Sequence, residues 1–156
     1  MIVLGLDPGV ATVGFGAVRS EYGKLTRLAH GVIKTPANLP LARRLLLISE
    51  DLNELLDKLS PDHVAVEQLY FSKNITTGIP VAQARGVLLL EAARRGLPVY
   101  EYGPMQVKQA VVGYGAADKK QIIAMIRLLL AMDRDPRPDD AADALGVAVC
   151  HAQTVR

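Results

Sequence analysis

Several features that would point to other kinds of protein are scarce or absent in this chain. It has one cysteine, Cys150, so an intrachain disulfide is excluded, and we expect the thiol to lie in the core. No apolar run approaches the roughly 18 residues of a membrane span. The opening "MIVLGLDPG" carries neither a basic segment nor a cleavage site. We therefore expect no signal peptide and a cytoplasmic protein without a membrane partner.

Neither sign of charge is in excess. The chain has 18 Lys and Arg against 16 Asp and Glu, a net charge of +2. This balance neither requires nor excludes nucleic acid as a partner, so any basic surface must come from local clustering. Half of the 156 residues are hydrophobic and 22% are charged, which excludes a disordered chain. We expect residues 1–156 to form a single domain.

The hydrophobic pattern predicts an α/β fold. Short apolar stretches predict five strands, at 2–6, 12–18, 25–34, 63–68 and 99–102. Leucine and isoleucine recur every three to four residues over 41–59, which is the period of a helix. Further helices are predicted over 80–95, 104–112, 118–132 and 139–152. This order predicts a mixed sheet with helices on its faces.

Two of the predicted strands end on an acid. Asp7 follows "IVLGL" and Glu67 follows "VAV". Polar residues commonly bound strands, and Asp7 before Pro-Gly also fits a plain turn. Two strands of one sheet with this feature favour a site instead, because ligands bind beyond strand ends in sheets of this kind.

The segment "RPDDAADALGVAVC" starts an otherwise apolar helix with three aspartates. Asp139 fits a role at the helix N-terminus, where acids cap free N–H groups and complement the dipole. Asp143 lies a turn further in, between alanines, and shares one side of the helix with Asp140. Two ionised carboxylates this close repel each other, and a divalent cation is the simplest compensation. An all-oxygen ligand set favours Mg²⁺ or Mn²⁺ over Zn²⁺.

These four acids are candidates for one site. Carboxylates that hold two ions roughly 3.5–4 Å apart are the working part of many nucleases and polymerases. The spacing alone does not show that the acids meet in space, so convergence is a hypothesis for the structure to test.

Five motifs, in order along the chain, resemble the RuvC family of Holliday-junction resolvases. They are "GLDPGVATVGFG" at 5–16, "AVEQLYFSKN" at 65–74, "QARG" at 83–86, "EYGPMQVKQAVVGYGAADK" at 101–119 and "DAADAL" at 140–145. The resemblance implies an RNase H-like fold with a five-stranded mixed sheet. It also implies a Mg²⁺-dependent homodimeric endonuclease that nicks two opposed strands of a four-way DNA junction and works with a branch-migration motor of the RuvA and RuvB type.

The resemblance also assigns roles to residues at matching positions. It makes Asp7, Glu67, Asp140 and Asp143 the catalytic and metal-binding acids. Lys108 and Lys119 match positions implicated in DNA contact and catalysis, and Tyr70 matches an aromatic residue that stacks on an unpaired base. The other basic residues expected to contact DNA are Lys73, Arg85 and Lys120. A solvated surface charge is the alternative for each of these cations.

Other interpretations remain open at this point. The helix around Gly86 would lie at the two-fold interface, although ordinary packing on the sheet also explains its small residues. "LDPGVATVGFG" resembles the phosphate loop of actin-type ATPases and sugar kinases, and an RNA-processing nuclease of the YqgF type shares the opening motif. A non-catalytic junction-binding module is the third alternative. We interpret His30, His63 and His151 as three separate structural residues.

Overall fold

The computed structural model describes residues 1–69 and 75–155, and within them five strands and five helices follow one another along the chain. The elements are β1 (Ile2–Asp7), β2 (Thr12–Glu21), β3 (Lys24–Lys34), α1 (Leu41–Leu59), β4 (His63–Glu67), α2 (Ile75–Arg94), β5 (Val99–Tyr102), α3 (Pro104–Val112), α4 (Lys119–Leu129) and α5 (Asp139–Thr154). In this part of the chain no helix is both long and apolar enough to cross a membrane.

The strands form one mixed sheet in the order β3-β2-β1-β4-β5. β1 pairs antiparallel with β2 and parallel with β4, and β4 pairs parallel with β5. A tight turn at Tyr22 and Gly23, with φ of 51° and 79°, joins β2 to β3. Positive φ at both turn residues matches the twist of the flanking strands, which explains why β2 continues three residues beyond its predicted end.

Side chains of alternate residues point to opposite faces of the sheet, and each face carries its own core. Leu4, Leu6 and Val66 belong to the core that includes residues of α1 and α2. Val3 and Ala65 belong to the other core, with residues of α3, α4 and α5. The predicted five-stranded mixed sheet with helices on both faces is therefore confirmed.

Three strand glycines allow α5 to lie directly on β1 and β2. A Cβ atom at Gly5 would come within 2.1 Å of the Ala144 carbonyl oxygen, and one at Gly14 within 2.0 Å of the Asp140 carbonyl oxygen. At Gly16 it would come within 2.7 Å of a backbone nitrogen of the same helix. No side chain fits at these positions, so the glycines set the height of α5 above the sheet. They also place the N-terminal turns of α5 over the end of β1.

Two helix boundaries differ from those predicted. α2 begins at Ile75 rather than at residue 80, and Pro80 lies inside it, where its ring costs one main-chain hydrogen bond. α4 begins after Asp118, whose carboxylate accepts a hydrogen bond from the Gln121 N–H at 2.8 Å in a capping box. It ends three residues before the predicted limit because the chain turns at Ala131, which has φ of 50°.

Candidate active site

Asp7 and Glu67 lie side by side at the ends of neighbouring parallel strands. Leu6 of β1 is paired with Val66 of β4, so the next residue of each strand is an acid on the face covered by α5. The two carboxyl groups are hydrogen-bonded to each other. Parallel pairing thus brings together two acids that are 60 residues apart in the sequence.

The first turns of α5 add two more acids to this pair. Carboxylate oxygens of Asp7, Asp140 and Asp143 all lie within 4.8 Å of one another, which is close enough to share a cation. Asp140 belongs to the first turn of the helix and Asp143 to the second, so both face the end of β1. The structure therefore brings together the four acids that the sequence singled out.

Burial and mutual repulsion make this acid cluster electrostatically unfavourable without a cation. Burial, followed by the charges of Glu67, Asp143 and Asp140, raises the pKa of Asp7 from 3.8 to about 8. Burial also raises the pKa of Glu67, although the hydrogen bond with Asp7 and the nearby charges of Lys119 and Lys108 oppose this shift. Near neutral pH the pair consequently retains a proton that a bound cation would displace.

The two helix acids have protein partners that compensate part of their charge. The Thr12 hydroxyl donates a hydrogen bond of 2.9 Å to Asp140 Oδ2. The Lys119 ammonium donates to both oxygens of Asp143, at 2.9 and 3.0 Å. Burial alone would lower the pKa of Lys119, but its hydrogen bond and ion pair with Asp143 outweigh this and raise it. Sequence analysis missed Thr12. Its only signal in the sequence is its position at the start of β2, directly after the turn that follows Asp7.

The basic residues expected to contact DNA fall into three groups. Lys108 and Lys119 line a cleft of about 340 Å³ together with Glu67 and Asp143, so both lie at the acid cluster. Lys120 is exposed in the first turn of α4, beside Lys119. Arg85 forms an ion pair with Glu101 of β5, and its side chain is only 16% exposed.

Other expected residues have different outcomes. Tyr70 and Lys73 lie outside the described residues. Asp139 is the first residue of α5, and the N-cap position is occupied by Pro138, which has no side-chain hydrogen bond to the helix. Asp139 is therefore not the capping residue that we expected. As an acid in the first turn, Asp139 still complements the helix dipole.

Two of the three histidines are not separate, contrary to our interpretation. His63 Nδ1 lies 2.8 Å from His151 Nε2, and the Tyr102 hydroxyl lies 2.7 Å from His151 Nδ1. Burial, then the charge of His63, lowers the pKa of the fully buried His151 to about 4, so its ring is neutral. This chain of hydrogen bonds joins β4, β5 and α5, which gives it a structural role.

The ligand atoms offered by the acid cluster fit a hard divalent cation. All are carboxylate oxygens, and the cluster contains no thiolate and no imidazole, the ligands typical of zinc sites. A cation bound here would offset the burial and the mutual repulsion that raise the pKa of Asp7. A mixed sheet of this strand order, with acids at the ends of β1 and β4 and on the last helix, defines a metal-dependent nuclease of the RNase H-like class.

Comparison with known proteins identifies the family. The family model "Crossover junction endodeoxyribonuclease RuvC" matches residues 3–151. The protein of that name from Syntrophomonas wolfei is 53% identical over 156 residues, which are 100% of this chain and 91% of the relative. The one from Brevibacillus brevis is 54% identical over 153 residues, 98% of this chain and 92% of the relative.

A solved structure agrees with these relatives. RuvC of Thermus thermophilus in complex with a Holliday junction substrate superimposes with a TM-score of 0.95 at 39% identity, over 100% of this chain and 95% of that one. The chain belongs to the crossover junction endodeoxyribonuclease RuvC family, whose members resolve Holliday junctions in DNA recombination and repair. The RNase H-like fold is confirmed, and the RNA-processing and phosphotransferase alternatives find no support.

Proposed function

We propose that Asp7, Glu67, Asp140 and Asp143 are the catalytic acids and that they bind Mg²⁺, two ions per subunit, with Mn²⁺ able to substitute. The observation that carries this proposal is the shared space of the carboxylate oxygens, within 4.8 Å for three of the four acids. Bound divalent ions supply an activated water and Lewis-acid stabilisation of charge on the phosphate. The protein cuts a four-way junction at symmetric positions and leaves 5′-phosphate and 3′-hydroxyl ends.

The lysines beside the acids hold and polarise the DNA. Lys119 and Lys108 reach the acid cluster from α4 and α3, on the side where a phosphate would meet the acids. A cation there stabilises negative charge that develops on the phosphate, and Lys120 adds a backbone contact next to it. Tyr70 and Lys73 follow Glu67 within six residues in the sequence, and we propose that Tyr70 stacks on an unpaired base at the crossover. DNA contact by Arg85 stays a prediction, because Glu101 already engages its guanidinium.

The exposed face of α2 supports a homodimer. Ile75, Ile79 and Leu90 are 67%, 49% and 54% exposed along one stripe of the helix. Gly86 lies on the same stripe, and a Cβ atom there would meet nothing within 4 Å in the subunit. A glycine inside a helix costs about 1 kcal/mol relative to alanine. Close approach of a second α2 at this position would explain why the chain has glycine there. A two-fold dimer would present one acid cluster to each of two equivalent strands.

This dimer is tested by a charge placed on the stripe. Leu90→Arg should convert the dimer into a monomer in sedimentation velocity at micromolar concentration, because an arginine cannot be buried unpaired between two copies. Leu128→Arg is the matched control, since Leu128 is 67% exposed but lies on α4. A monomeric wild-type protein, or a dimer that survives Leu90→Arg, would rule out this interface.

Three further features complete the proposal. Residues 1–156 act as one nuclease domain, because both cores pack on the same sheet. A motor of the RuvA and RuvB type moves the crossover to sites where the dimer can cut. A DNA junction as substrate argues for work in the cytoplasm, where bacterial chromosomes recombine.

The deciding experiment uses the purified protein and a mobile four-way junction with labelled strands. We expect paired nicks at symmetric positions with Mg²⁺, and none with EDTA. Asp143→Asn should abolish cutting while junction binding persists. The control is Asp139→Asn, which should keep most of the activity because Asp139 lies on the same helix but outside the cluster. Cleavage of structured RNA instead of the junction would support the YqgF-type alternative, and binding without any cleavage would support the non-catalytic one.

A further inference from the structure

A second cavity adjoins the acid cluster, on the side of the sheet that α1 and α2 cover. It has a volume of about 510 Å³ and lies between the β1–β2 turn, the start of α1 and the first half of α2. Gly9–Thr12, Leu41 and Arg44 contribute to its walls. Thr12 also donates the hydrogen bond to Asp140, so one residue borders both the cavity and the acids. We call this cavity the Arg44 pocket.

Arg44 is held rigidly at the wall of this pocket. Its Nε donates a hydrogen bond of 2.8 Å to the Thr35 hydroxyl, which in turn donates one of 2.6 Å to the Val10 carbonyl oxygen. Thr35 is buried, at 7% exposure, so the anchor is shielded from water. A second nitrogen of the guanidinium, Nη2, donates a longer hydrogen bond of 3.5 Å to the Thr35 carbonyl oxygen, so Thr35 engages two of the five donors. The remaining donors are available to a ligand in the pocket.

Among the described residues, no carboxylate forms an ion pair with Arg44. The first turn of α1 has neither an acid nor a side-chain cap. Arg43 and Lys34, at the same end of the sheet, are exposed and likewise make no ion pair with a described residue. The helix dipole adds positive potential at this end.

The acid cluster therefore lies between two groups of cations. Lys108 and Lys119 are on the α5 face, and Arg44 with its two basic neighbours is on the side of α1 and α2. A DNA strand whose phosphate reaches the acids carries its next phosphates past one or both groups. Arginine held in a fixed orientation suits phosphate oxygens, which accept its paired N–H donors.

We propose that the Arg44 pocket binds a backbone phosphate of the DNA junction, with the anchored Arg44 guanidinium as its cation. This inference rests on the proposed function, because it takes DNA as the substrate at the acid cluster. The contact positions the strand on the side of the scissile phosphate that faces away from Lys119. It carries no base specificity, because phosphate contacts set register rather than sequence.

The test measures junction binding against salt concentration by fluorescence anisotropy, with EDTA present so that no strand is cut. Each phosphate contact contributes about 0.9 to the slope of log K against log salt. Arg44→Met should lower the slope by about 0.9 and weaken binding about eightfold at 0.1 M salt. Lys58→Met is the matched control, because Lys58 is an exposed cation in the last turn of the same helix, and it should change neither quantity.

A footprint on the unaltered protein guards against misfolding of the variant, which loses the bond to Thr35. Phenylglyoxal modifies accessible arginines, and peptide mass spectrometry reads each site. The junction should protect Arg44 and leave Arg19, at the far end of β2, reactive. An unchanged salt slope in a folded Arg44→Met protein, or no protection of Arg44, would overturn this inference alone. Failure of the wild-type protein to bind a junction would instead refute the proposed function.

Discussion

Replacing Asp7 by asparagine should stabilise the metal-free protein while weakening its response to metal. In the folded protein the pKa of Asp7 is raised from 3.8 to about 8, first by burial and then by the neighbouring acids. The folded state thus holds a proton that the unfolded chain releases above about pH 4. The contribution of Asp7 to stability should consequently fall as pH rises from about 4 to about 8, by about 1.4 kcal/mol per pH unit.

The substitution removes this slope because asparagine does not titrate. Between pH 5 and pH 7 the wild-type protein should lose about 3 kcal/mol of unfolding free energy relative to Asp7→Asn. Urea unfolding in EDTA at several pH values measures the difference. Asp133→Asn is the matched control, because Asp133 is exposed in the loop between α4 and α5 and should keep the wild-type slope.

Magnesium should narrow the difference in unfolding free energy between the two proteins at pH 7. At a Mg²⁺ concentration ten times the dissociation constant, binding stabilises the wild-type protein by about 1.4 kcal/mol, and Asp7→Asn should gain much less. Equal pH slopes in the two proteins would refute the reasoning, because Asp7 would then not be an acid buried among acids. Equal stabilisation by Mg²⁺ would show that Asp7 is not a ligand.

Two further predictions concern the groups that position the acids. Gly14→Ala should destabilise the protein by about 2–3 kcal/mol in urea unfolding and weaken Mn²⁺ binding, because a Cβ atom 2.0 Å from the Asp140 carbonyl oxygen forces α5 off the sheet. An unperturbed Gly14→Ala protein would contradict the packing account. Lys119→Met should bind Mn²⁺ more tightly in the absence of DNA, measured by calorimetry, because the Lys119 ammonium competes for both oxygens of Asp143. The same variant should cut junctions more slowly, whereas the control Lys120→Met should keep the wild-type metal affinity. A weaker metal affinity in Lys119→Met would refute the competition.

Hydrophobic periodicity was sufficient to predict the sheet and most helix positions. Strand alternation and the leucine spacing of α1 depend on local burial, which the sequence displays directly. Where local signals misled, an interaction nearby explains the error. The helix predicted over 80–95 begins at Ile75 in the structure, so Pro80 lies inside α2, and the start of α4 depends on the capping box of Asp118 and Gln121.

Within the candidate site, only residues marked by a strand end or by helical spacing could be predicted from the sequence. Asp7 and Glu67 were recognisable because each follows an apolar strand, and Asp140 and Asp143 because acids in an apolar helix need compensation. The sequence contains no comparable signal for Thr12 or for the pairing of Lys119 with Asp143, since these contacts depend on how α5 and α4 dock on the sheet.

Long-range side-chain contacts also escaped prediction. His63 and His151 are 88 residues apart in the sequence, and only the packing of α5 on β4 brings their rings into hydrogen-bond distance. The pairing of Arg85 with Glu101, on a strand formed later in the chain, has no signal in the sequence, and DNA contact by Arg85 stays a prediction. Such pairings follow from tertiary geometry, which residue spacing does not encode.

The central claim is that distant acids share divalent ions, and anomalous diffraction from crystals soaked in Mn²⁺ tests it most directly. We predict an anomalous peak in contact with carboxylate oxygens of Asp7 and of Asp140 or Asp143, with the Lys119 ammonium moved away from any oxygen that the ion takes. A peak elsewhere on the molecule, or no bound manganese at a concentration that supports cleavage, would contradict the claim.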